Sequence, residues 1–79
     1  MASPREVLEF VVRNLVDDPD AVRVEEEADD RGAILHLIVA GDDVGKVIGK
    51  GGRTARAIRS VVRAAAIRAG THVMVEIAG

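Results

Sequence analysis

Val47-Ile48-Gly49-Lys50-Gly51-Gly52-Arg53 sets three glycines in four positions between two helical stretches. Glycines so placed permit positive φ and let another molecule approach the backbone closely. Downstream, a long helix runs from about Arg53 to Ala69 and is stopped by Gly70 in the C′ position. At 100° per residue, Ile58, Val62, Ala65 and Ala69 share one side of it, and Arg53, Arg56, Arg59 and Arg63 the other. Upstream, Ala40-Gly41-Asp42-Asp43 breaks a strand and offers Asp as the N-cap of a very short helix, Val44 to Ile48. The glycine loop therefore feeds the N-terminus of the long helix, where unpaired N–H groups and the helix dipole favour an anion. Lys46, Lys50, Arg53 and Arg56 surround it. Together these features make a phosphate-contacting turn.

The flanking sequence supplies the remaining elements. Ser3-Pro4-Arg5-Glu6 combines a cap, a proline at the first helical position and a capping-box glutamate. Val7, Leu8, Val11, Val12 and Leu15 then fall on one face, which predicts an amphipathic helix over 4–16. Val22 and Val24 alternate with Arg23 and Glu25, the period of a half-buried strand. Asp29-Asp30-Arg31-Gly32 is turn chemistry, and the apolar run Ala33 to Val39 is a second strand, so 21–39 reads as a hairpin. Thr71 to Ala78 is a third strand, with Val73, Val75 and Ile77 facing one way. The order is αββααβ. A strand–helix–helix–strand unit predicts a parallel, right-handed crossover between the second and third strands. The expected class is α+β, a three-stranded mixed sheet with helices on one face.

A chain of 79 residues is one domain, 1–79, and it has the apolar material for a core: 48% hydrophobic residues, thirteen Val and six Ile among them. No Cys is present, which excludes a disulfide framework and a thiolate nucleophile. No apolar run approaches the ~18 residues of a membrane helix, and no signal peptide is read, so a cytoplasmic protein without a membrane partner is expected. Charge is strongly divided. Residues 1–43 carry four Arg against twelve acids, −8, and residues 44–79 carry two Lys and five Arg against one acid, +6. The basic half can offer a local anion site on a chain that is acidic overall. With Phe10 the single aromatic, a sheet that stacks bases on Phe or Tyr cannot be built.

Two nucleotide-binding readings fail on spacing. A P-loop needs four residues between Gly and Gly-Lys, then Ser or Thr, after a strand. Here Gly45 and Gly49 are separated by three, Gly51 follows Lys50, and a helix leads in. The dinucleotide fingerprint fails because Thr54 stands where its third glycine belongs. A ligand-free tight turn would need one C-cap glycine, not three.

Val47-Ile48-Gly49-Lys50-Gly51-Gly52 resembles the V-I-G-x-x-G core of the KH (hnRNP K homology) domain. The element order is similar to the type II, prokaryotic variant, over essentially the whole chain. The layout most resembles the small single-domain bacterial KH proteins of the KhpA type. The resemblance implies a non-catalytic RNA-binding protein, an RNA chaperone or post-transcriptional regulator, that clamps about four nucleotides of single-stranded RNA. Carried onto this chain, the RNA-binding residues are Lys46, Val47, Ile48, Gly49, Lys50, Gly51, Gly52, Arg53 and Arg56. The resemblance also implies a homodimer, or a heteromer with another KH-containing RNA-binding protein. One departure is Ala55, where the KH pattern often has a large aliphatic residue; the smaller side chain shrinks the base platform.

Other residues receive blander readings. Arg59 and Arg63 serve solubility as readily as RNA. Phe10 lies off the main apolar face of its helix and is expected at the edge of the core. His36 and His72 lack a third placed ligand, so no metal or other cofactor is expected. Asp17-Asp18, Asp29-Asp30 and Asp42-Asp43 are read as turn residues bonding to their own backbone, not as catalytic pairs. Ile34, Ile38 and Met74 on the outer sheet face suggest an interface, and with it the alternative of a protein-interaction module.

Overall fold

The computed structural model describes residues 2–78, so Met1 and Gly79 of the expected 1–79 domain lie outside the described residues. Helix α1 (Pro4–Arg13) leads into strands β1 (Arg23–Ala28) and β2 (Ala33–Ile38). Helices α2 (Val44–Ile48) and α3 (Arg53–Arg68) follow, and strand β3 (Val73–Ala78) ends the sheet. The class is the expected α+β, with the KH element order.

Ser3 and Glu6 form the capping box: Ser3 Oγ accepts from the Glu6 N–H at 3.2 Å, and Glu6 Oε1 accepts from the Ser3 N–H at 3.0 Å. Those bonds from Ser3 hold the Glu6 carboxyl below its ordinary pKa. The helix stops three residues short of the predicted Val16. Asn14 donates through both its N–H and its Nδ2 to the Phe10 carbonyl, and Leu15 N–H turns back to Val12 O. Val16 N–H shares the same Val12 carbonyl at 3.2 Å, so the chain leaves the helix through one tightened turn.

The sheet order is β1-β2-β3, β1–β2 antiparallel and β2–β3 parallel, with Val24 opposite Leu37 and Leu35 opposite Val75. One sheet face is buried: Val24, Leu35, Leu37, Val73 and Val75 meet Leu8 and Val12 of α1, Val47 of α2, and Ile58, Val62 and Ala66 of α3. Each fully buried Leu or Val stabilises by about 1.5–3 kcal/mol. The inward face of α3 differs from the predicted one. Ala55, Ile58, Val62 and Ala66 are buried, Ala65 only half so, and Ala69 is exposed. The predicted set follows a strict seven-residue spacing, from which a straight helix drifts by about 20° per heptad. The helix ends as expected: Gly70 has φ 73°, Gly70 N–H bonds Ile67 O, and Thr71 N–H bonds Ala66 O, a Schellman closure. Phe10 is not at the core edge; it is 70% exposed.

On the outer sheet face, His36 stands at the centre of the middle strand. Its Nε2 lies 3.0 Å from Glu27 Oε1 and its Nδ1 3.1 Å from Glu76 Oε1, so one ring spans all three strands. The bond to Glu27 holds its pKa above the ordinary 6.5 against desolvation, with Glu76 and Glu25 adding field. A raised histidine pKa contributes stability that is complete below the unfolded value and is lost as pH rises through the folded one. Melting temperature is therefore expected to fall as pH climbs past 6.5, and His36→Gln to remove that part of the profile. Superimposable profiles for the two proteins would refute the role given to His36.

Candidate nucleic-acid interface

The glycine loop is built from its own backbone. Gly49 ends α2 with its N–H on Gly45 O at 2.9 Å and turns the chain with φ 75° and ψ 171°. Gly51 (φ 64°, ψ 18°) and Gly52 (φ 78°, ψ 12°) follow in the left-handed region, and Gly52 N–H closes on Gly49 O at 3.1 Å. The glycines do different jobs. A Cβ on Gly49 would sit 2.2 Å from Thr54 Oγ1 and 2.9 Å from Thr54 N, so the loop closes tightly onto the first turn of α3. A Cβ on Gly51 would meet nothing within 4 Å, so that side of its backbone faces open space.

The nine residues expected to hold RNA fall into four groups. Lys50, Gly51 and Arg53 are exposed at the loop and the entry to α3, where the first-turn N–H groups have no side-chain cap. Arg56 is exposed beside them and donates from Nη1 to Gly51 O at 3.0 Å, bracing the loop with its charge still at the surface. Gly52 sits under that guanidinium, and Gly49 and Ile48, the latter 39% exposed, border the same surface. Val47 is fully buried in the core and supports the loop from beneath. Lys46 points elsewhere: its Nζ donates to Asp17 Oδ2, which raises its pKa.

Arg59 and Arg63 continue the stripe. Arg59 is half-buried and donates from Nε to Val75 O at 3.2 Å, covering the free edge of β3. With Arg63, His72, Val73, Met74 and Val75 it lines a groove between α3 and β3. The outer sheet face is of opposite sign, with Glu25, Glu27 and Glu76 around His36. Ile34 and Ile38 are half-buried there, and Met74 is 57% exposed.

Two aspartates of the turns behave differently. Asp29 bonds locally as expected, Oδ1 accepting from Arg31 N–H and Gly32 N–H, both at 2.8 Å. Asp43 does not: it makes no side-chain cap to α2 and is 2% exposed. Its carboxylate accepts instead from Asp17 N–H at 3.1 Å and Asp18 N–H at 3.0 Å. No local pattern signals it, because both donors lie in the α1–β1 connection.

The same architecture occurs in known proteins. A family model described as the KhpA/KhpB KH domain matches residues 5–77. "RNA-binding protein KhpA" of Clostridium acetobutylicum is 49% identical over 73 residues, 92% of this chain and 97% of that protein. The protein of the same name from Streptomyces coelicolor is 52% identical over 59 residues, 75% of each chain. Among solved structures, Aquifex aeolicus Era bound to GDP and aluminium fluoride superposes with a TM-score of 0.62 at 20% identity. The match covers 94% of this chain but only 29% of the Era chain, a likeness of fold. With the glycine loop, the αββααβ order and these relatives in agreement, the chain belongs to the KhpA/KhpB family of KH domains.

Proposed function

We propose that this chain is a non-catalytic, cytoplasmic binder of single-stranded RNA, an RNA chaperone or post-transcriptional regulator that grips the RNA backbone with Gly49-Lys50-Gly51-Gly52. The observation that carries the reading is the open backbone at Gly51, with φ 64° and no atom within 4 Å of a Cβ, beside exposed Lys50, Arg53 and Arg56. Phosphate oxygens can approach the loop and the uncapped start of α3 there, with cations on either side. Ile48 borders the site as an aliphatic base contact, and buried Val47 holds the loop in place. Lys46 adds charge only by leaving Asp17, so its removal should cost less than that of Lys50. The glutamates of the outer sheet face repel a polyanion and keep RNA on the helical side.

Salt titration tests the reading. With two to four phosphates engaged, log affinity for single-stranded RNA should fall against log salt with a slope of about −1.5 to −3. A slope near zero would remove the phosphate clamp. Duplex DNA should compete poorly.

A four-nucleotide site holds RNA weakly, and pairing two domains raises avidity through effective concentration. The reading therefore includes a homodimer, or a heteromer with another KH-containing RNA-binding protein, through the outer sheet face around Met74. Light scattering over rising concentration should show mass above the monomer. A strict monomer that also captures no KH-containing partner would exclude the assembly.

A further inference from the structure

Among the described residues Asp43 is the one buried charged side chain, and it lies in neither the sheet nor the glycine loop. It belongs to the turn Gly41–Asp43 that opens α2. Its two carboxylate oxygens take the N–H groups of Asp17 and Asp18, and its own N–H bonds Ala40 O at 2.8 Å. One turn further along α2, Lys46 closes on the side chain of Asp17. Asp17 is thus held twice, through its backbone by the residue that precedes α2 and through its carboxylate by Lys46 of α2.

Such a brace matters because α2 has only five residues. A helix this short has no stability of its own and takes its position from what it packs against. Val47 is its one fully buried side chain, and Val44 beside it is only half-buried against the core, a small apolar contact for holding a short rod in one orientation. Asp43 supplies a second anchor at the opposite end from Gly49. Charged acceptors of two backbone N–H groups in a buried setting make strong, directional bonds. With both ends fixed, the backbone of Gly49–Gly52 is aimed at one place relative to the α3 arginines.

We infer that Asp43 is a positioning residue for RNA binding: by clamping Asp17 and Asp18 it fixes α2, and through α2 the placement of the Gly49–Gly52 loop against Arg53 and Arg56. The inference rests on the reading of that loop as the RNA clamp. It differs from a purely structural role in what it demands of the folded molecule. A loop that has swung away engages fewer phosphates at once, whereas a less stable domain binds with unchanged stoichiometry in its folded fraction.

The experiment titrates a short labelled single-stranded RNA of mixed sequence into wild type, Asp43→Ala, Asp43→Asn and the Lys50→Asp/Gly51→Asp double variant, over a range of salt. Amide exchange at residues 17, 18 and 49–52 and far-UV spectra accompany it. Asp43→Ala is expected to bind at least roughly tenfold more weakly while folded, about one factor of ten per 1.4 kcal/mol. Its salt slope should be shallower by about 0.7 for each phosphate lost, with faster exchange at both segments. Asp43→Asn keeps size and one acceptor oxygen and should fall between. Should Asp43→Ala fail to fold, Asp43→Asn decides alone by the same criteria. Wild-type affinity and slope in a folded Asp43 variant, or weaker affinity with an unchanged slope, overturns the positioning role while the double variant still loses RNA. Wild-type binding by the double variant instead overturns the loop reading itself, and the inference with it.

Discussion

Lys50→Asp combined with Gly51→Asp is expected to abolish binding of single-stranded RNA in a domain that stays folded. Both residues are exposed, so neither change opens a cavity or buries a charge. A Cβ on Gly51 meets nothing within 4 Å, and its φ of 64° with ψ of 18° lies in the left-handed region that aspartate tolerates better than most residues. The cost there is about 1 kcal/mol of stability. The functional cost is larger. Two carboxylates replace one cation and one bare backbone where phosphates are proposed to sit, and like charges about 4 Å apart repel by ~1 kcal/mol in water and ~4 kcal/mol nearer a protein surface. Taking values toward the lower end for an exposed loop, two repulsions and a lost Lys contact total about 3 kcal/mol, roughly a hundredfold in affinity. Filter binding with far-UV spectra and melting curves checks both halves. RNA affinity near wild type in the folded double variant would end the assignment of Gly49–Gly52 as the clamp.

What the sequence disclosed well was whatever its physics keeps local. The glycine loop, the exposed Lys50, Arg53 and Arg56 beside it and the Gly70 stop are short-range patterns, and each stands where its spacing puts it. The alternation of Val73 and Val75 and the hairpin at Asp29–Gly32 are of the same kind. What it hid are the contacts made at long range. Asp43 looks like any turn aspartate because its partners, Asp17 and Asp18, belong to the α1–β1 connection, far away in the chain. Lys46 looks like one more cation of the basic half until Asp17 is brought to it. Arg59 is equally suited to water on a helical wheel, and only the packing of β3 beside α3 gives it the Val75 carbonyl. The inward face of α3 departs from the seven-residue spacing for a geometric reason: the drift of a straight helix buries Ala66 and leaves Ala69 exposed.

Gly32→Ala is expected to be the most destabilising small change in the chain, although Gly32 sits in an exposed turn by every local sign. The hairpin turn packs end-on against the residue preceding β3. A Cβ on Gly32, at φ 156°, would lie 1.8 Å from His72 O and 2.7 Å from His72 C, both backbone atoms. That carbonyl cannot step aside, because it accepts the Ala33 N–H at 2.9 Å, next to the first rung of the parallel pairing, Ala33 opposite Val73. The turn cannot withdraw freely either, since Gly32 O accepts from Asp29 N–H at 2.9 Å and Gly32 N–H donates to Asp29 Oδ1. Relief therefore breaks either the hairpin closure or the start of the β2–β3 ladder. Backbone strain, the steric clash and the lost backbone bonds together are worth about 3–5 kcal/mol, against about 4–12 kcal/mol for a domain of 79 residues. At 4–8 °C per kcal/mol for this size, the melting temperature should fall by more than about 12 °C. Gly70→Ala is the control, with φ 73° but nothing within 4 Å of its Cβ, and should lose only about 1 kcal/mol. Equal losses for the two variants in urea denaturation would show that the contact with His72 is not what fixes Gly32, and that left-handed backbone alone accounts for it.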